Sequence, residues 1–138
     1  MAELPAEIKA EIENIQETLK NLSKTMKRPD KTIIELAALG TFLHNYYNGI
    51  ENILKQVMKM KQITVPSGEN WHKGLLSAAG ENGYINEEVS DELFEYLAFR
   101  HYFVHSYGFM LKEQYLKELA DKAEAVFGRF LEGVKGSI

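Results

Sequence analysis

The sequence predicts an all-α protein: an up-and-down helical bundle of four long helices plus a short one. Three observations predict it. Apolar residues recur at steps of three and four along most of the chain. No segment alternates in the manner of a half-buried strand, and the β-branched residues are dispersed. The three prolines and ten glycines cluster between the periodic segments. Short connections then favour mostly antiparallel neighbours.

The first helix carries Leu4, Ile8, Ile12, Ile15, Leu19, Leu22 and Met26 on one face, with Glu and Lys on the other. Pro29 stops it, and Asp30 is a good N-cap for the next helix. That second helix runs from about Lys31 to Lys61, a rod of roughly 45 Å. Ile33, Leu36, Leu39, Leu43, Tyr47, Ile50, Leu54 and Val57 form one stripe, and Ile34, Ala38, Phe42, Tyr46 and Ile53 a second beside it. Two stripes place it centrally. Gly40 and Gly49 lower its helix propensity and read as points of close helix approach.

A loop with Pro66-Ser67-Gly68 precedes a short helix from Trp71 to Ala79, which Gly80 ends. Asn82-Gly83 marks a turn. Ser90 is the expected N-cap of the next helix, with Asp91 and Glu92 at its positive end and Val89 stapling onto Phe94. It runs through Arg100 and ends near Tyr107-Gly108. The last helix, about Lys112 to Val134, turns Tyr115, Leu119, Val126, Phe130 and Val134 inward.

The whole chain, 138 residues, is read as a single helical domain. Folding at this length buries about two-thirds of the unfolded chain's surface, enough for a core without staples. There is no cysteine, which excludes disulfides, thiolate zinc sites and a cysteine nucleophile. A net charge of −4 argues against a protein that coats nucleic acid through bulk positive charge, though a local basic pocket is compatible with it. The segment Met1-Ala2-Glu3-Leu4-Pro5 lacks the layout of a signal peptide, and no apolar run reaches the roughly 18 residues of a membrane span. The expectation is a cytoplasmic protein with no membrane partner, no metal and no cofactor.

One segment concentrates chemistry: Phe99-Arg100-His101-Tyr102-Phe103-Val104-His105-Ser106-Tyr107-Gly108. Its bland reading is a set of core and rim fillers on a bundle helix. A metal reading rests on His101 and His105, four apart on one helix face, but two ligands are too few and no carboxylate stands at a matching step. The third reading is acid–base chemistry on phosphate. Histidine moves protons near neutral pH, and arginine offers planar, permanently charged donors to phosphate oxygens. Such a pair can cleave RNA without a metal, the histidine transferring a proton and the arginine stabilising charge at phosphorus. On an ideal helix Arg100 and His105 lie about 140° apart, so they converge on one phosphate only if the helix end distorts or a second copy completes the site.

Arg100, four residues, His105, one residue and Tyr107 together match the arginine–histidine–tyrosine signature of HEPN-domain toxins of the HepT type. Leu43 to Ile53 (LHNYYNGIENI) and Trp71-His72-Lys73-Gly74-Leu75-Leu76 also resemble that family, so the similarity runs from about Ala37 to Leu119. These toxins are partners of minimal nucleotidyltransferases in prokaryotic toxin–antitoxin modules. The resemblance implies a homodimer whose Arg-His motifs line one cleft, and metal-independent endoribonuclease action on an RNA substrate. Arg100 would contact the scissile phosphate and His105 would be the general acid–base. Tyr107 would be the regulatory position, silenced by AMP transferred from the nucleotidyltransferase antitoxin, which puts negative charge where RNA phosphate must bind.

Four further readings accompany this one. His101 belongs to the cleft. Glu51 is the expected hydrogen-bond partner of a motif side chain on the neighbouring helix. Trp71, Tyr46 and Tyr47 are core residues, the tyrosines with hydroxyls reaching water, and His44 is structural. His72 could line the cleft. The alternative function is a non-catalytic subunit that binds a nucleotidyltransferase, or presents a substrate to it, through the same surface.

Overall fold

A computed structural model describes residues 4–105 and 111–138. These residues form five helices and no strand: α1 (Ala6–Met26), α2 (Ile33–Met60), α3 (Trp71–Glu81), α4 (Glu87–His105) and α5 (Glu113–Ser137). Among them, no helix is long and apolar enough to cross a membrane.

The two apolar stripes of α2 make it the hub, and it packs against each of the other four helices. Leu39, Leu43, Tyr46, Tyr47, Ile50, Ile53, Leu54 and Val57 are all fully buried along it. A Cβ on Gly49 would stand 2.6 Å from Ile15 Cγ1 on α1, and one on Gly40 2.7 Å from Phe103 Cε1 on α4. Both glycines therefore mark places where a neighbouring side chain rests on the α2 backbone. Two tyrosines tie the bundle to α5. Tyr46 Oη donates to the Ala123 carbonyl at 2.8 Å and Tyr96 Oη to that of Leu119 at 2.6 Å. The Tyr46 hydroxyl is thus buried and paired with backbone, not wet. Arg129 Nη2 donates to both Glu92 oxygens at 2.7 and 2.6 Å, adding a charged link between α4 and α5.

Several helix ends differ from the sequence reading. The N-cap of α2 is Thr32, not Asp30. Thr32 and Glu35 form a reciprocal capping box, which satisfies two amides where a lone Asp satisfies one. Ile33 and Ile34, expected inward, are 54% and 73% exposed, because the first turn of α2 stands clear of the helices that cover the rest. The α4 helix starts at Glu87, four residues ahead of the expected start. Asn86 Oδ1 accepts from the Val89 amide at 2.8 Å, so the cap precedes Ser90 and the helix runs through it. Val89 then lies inside the helix and no staple forms.

The α3 helix passes Gly80 and reverses at Gly83, where φ is +78°. There the Tyr84 amide donates to the Ala79 carbonyl and the Gly83 amide to that of Gly80, a Schellman closure. Tyr115, expected inward on α5, is at its surface, while Leu116 one position on is buried.

Candidate functional site

The site is built on α4. Leu93, Tyr96 and Phe99 are buried toward the core. Steps of three and four on another side carry Phe94, Leu97, Ala98, His101 and His105. That side, together with Arg100, lines a groove of about 580 Å³, whose opposite wall comes from Glu69, Asn70, His72 and Lys73 at the start of α3. Arg100, His101 and His105 therefore share one groove despite their angular separation on the helix. The His101 and His105 rings stand 4.5 Å apart, and both residues are exposed.

Arg100 is held from the side. Its Nε donates to Asn48 Oδ1 on α2 at 3.2 Å, and Asn48 Nδ2 lies 3.4 Å from His44 Nδ1. Phe103 stacks on Phe99 at 5.6 Å and lies equally far from the His44 ring. Partial burial first, and the Arg100 charge second, hold the His44 imidazole below the ordinary histidine range.

The wall of the groove has a buried support. Glu51 on α2 is only 2% exposed, and its Oε2 lies 2.7 Å from His72 Nδ1. Glu51 was expected to bond a side chain of the α4 motif; its partner is His72 on α3. Trp71, expected in the core, is half-buried instead. Its ring lies 3.6 Å from that of His72, with Lys55 Nζ 4.1 Å from the indole centroid. One turn before Glu51, the Tyr47 hydroxyl is buried without a hydrogen-bond partner of good geometry among the described residues. Burial, followed by the Glu51 carboxylate, pushes its phenol well up.

Tyr107 lies outside the described residues, as does the expected end of α4 near Tyr107-Gly108. Among the described residues, no group of three or more His, Asp or Glu is placed to hold a metal ion. Asn48 and Lys73 stand inside the two segments that resemble the family, but the sequence assigns no role to them or to Asn70. Asn48 follows His44 by four and precedes Glu51 by three, so all three stand on one side of α2; that register was the available signal. In chemical terms the groove offers a guanidinium for an anionic oxygen and three imidazoles for proton transfer.

A family model described as HepT-like protein matches residues 38–136. The chain belongs to the HepT-like family. The match takes in α3, α4, nearly all of α2 and α5, and every residue named above as lining or supporting the groove. No curated protein and no solved structure matches this HepT-like chain.

Proposed function

We propose that this HepT-like chain is a metal-independent endoribonuclease toxin, one HEPN-like domain over residues 1–138. It would act as a homodimer in the cytoplasm beside a nucleotidyltransferase antitoxin. The observation that carries the reading is the convergence of Arg100, His101 and His105 on one groove in a member of this family. The reaction is attack of an RNA 2′-hydroxyl on the adjacent phosphorus, with release of the 5′-oxygen. Arg100 binds the phosphate and stabilises the charge that builds on it. His105 transfers one of the two protons that must move. His101, one turn away, lines the same phosphate path. Tyr107, two residues past His105 in sequence, is the acceptor for AMP; the added phosphate puts negative charge where RNA phosphate must bind.

The test is cleavage of total and transfer RNA in EDTA by wild type, Arg100→Ala and His105→Ala. Wild type cleaves, and both variants lose about 100-fold or more with their helical circular dichroism unchanged. Cleavage by His105→Ala at the wild-type rate removes that residue from the chemistry. Inactivity of a wild type whose intact mass excludes AMP on Tyr107 favours the alternative, a non-catalytic subunit that binds the nucleotidyltransferase.

A further inference from the structure

Metal-independent cleavage of RNA moves two protons. One leaves the attacking 2′-hydroxyl, and one joins the departing 5′-oxygen. A single histidine can serve only one of these atoms at a time, because attacking and leaving oxygens lie on opposite sides of phosphorus. The groove holds a second histidine in a setting that suits this task.

We propose that His72 is the general base of the reaction and that Glu51 is its positioning residue; this deepens the ribonuclease reading and rests on it. The argument begins with the 2.7 Å contact between His72 Nδ1 and Glu51 Oε2. An ionised carboxylate only accepts hydrogen bonds, so Nδ1 carries the hydrogen. In the neutral ring Nε2 is then the lone acceptor, the tautomer a base requires. Glu51 is 2% exposed on the hub helix and holds the ring at its edge, while the Trp71 ring lies against the imidazole face with 3.6 Å between centroids. The imidazole is therefore fixed in tautomer and in plane, while 19% of its side chain stays exposed to the groove that Arg100 and His105 also line.

A purely structural tie between α2 and α3 would need neither an imidazole nor a buried carboxylate, whose desolvation is costly. The charges around His72 are of both signs. Glu51 and, through Trp71, Lys55 face it from α2; Glu69 and Lys73 flank it. Arg100 and the exposed His101 and His105 complete the set from α4.

In the proposed step His72 Nε2 takes the 2′-hydroxyl proton as the 2′-oxygen bonds to phosphorus. The bond from phosphorus to the 5′-oxygen breaks, and His105 protonates that oxygen. The products are a 2′,3′-cyclic phosphate and a free 5′-hydroxyl. His72 ends protonated beside Glu51 and His105 neutral, so charge and protons balance.

The discriminating variant is His72→Asn, whose side-chain amide still donates to Glu51 but cannot take up a proton. With transfer RNA in EDTA, it should lose about 100-fold or more in cleavage rate while its thermal unfolding stays close to wild type. The residual rate should lack the rise with pH that a base contributes, and His105→Ala should instead lack the fall. His72→Ala should regain rate when free imidazole is added. Glu51→Gln should lower the rate less than His72→Asn and shift the rising limb of the pH profile. A His72→Asn protein that cleaves within about twofold of wild type overturns the assignment and leaves the ribonuclease reading standing. An inert wild type overturns the reading itself. Retention of the rising limb in His72→Asn assigns the base elsewhere.

Discussion

His44 shows how a single side chain couples the site to stability. Partial burial and the Arg100 charge hold its imidazole below the ordinary value of 6.5, so the unfolded chain binds more protons than the folded one as pH falls through that value. The contribution of His44 is therefore intact above the unfolded value and declines as pH drops toward the lowered folded value. The expected outcome is a urea midpoint that falls between about pH 7.5 and about pH 5.5, with a smaller fall in His44→Gln. The difference between the two proteins isolates His44 from the other three histidines.

At this scale the sequence is informative where chemistry is local. Arg100 and His105 are legible because their spacing within one helix is a pattern. The partners of the groove are not. Asn48 lies 52 residues from Arg100, and Glu51 lies 21 from His72. Only the register of α2 against α3 and α4 brings them together.

At the scale of elements, stripes are easier to read than ends. The α1 stripe and the double stripe of α2 find their neighbours because burial of apolar area is additive along a helix, and a few misplaced residues do not change the sum. A helix end is a competition among nearby caps. Asp30, the expected cap, loses to Thr32, because Thr32 gains the reciprocal bond with Glu35. Likewise Asn86 precedes Ser90 and captures the start of α4. Thr32→Ala should accordingly destabilise the protein by about 1 kcal/mol in urea unfolding, while Asp30→Ala leaves the midpoint within error. Equal effects from the two would return the cap to Asp30. Ile33 and Ile34 are exposed for a related reason: periodicity shows which side is apolar, not how far the covering helices extend.

At the scale of the molecule, the groove side of α4 carries Ala98, His101 and His105 exposed, with Phe94 part-buried beside them. The proposed homodimer sets two such grooves about one axis. Light scattering should give about twice the 15.8 kDa of the chain. If each site takes Arg100 from one protomer and His105 from the other, mixing inactive Arg100→Ala with inactive His105→Ala should restore measurable RNA cleavage. A mixture that stays inert, with subunit exchange demonstrated, places both residues of a site on the same chain.

The contact between Trp71 and His72 has a spectroscopic consequence. Trp71 is the single tryptophan of the chain, and its indole lies against a groove-lining imidazole on one hand and the Lys55 ammonium on the other. Its emission therefore arises from one place and senses the electric field there. Anything anionic that enters the groove, or any proton taken up by the adjoining ring, alters the field that sets its colour and intensity. The protein carries a built-in optical probe beside its proposed reaction centre, so occupancy can be followed by fluorescence in a variant that no longer turns over.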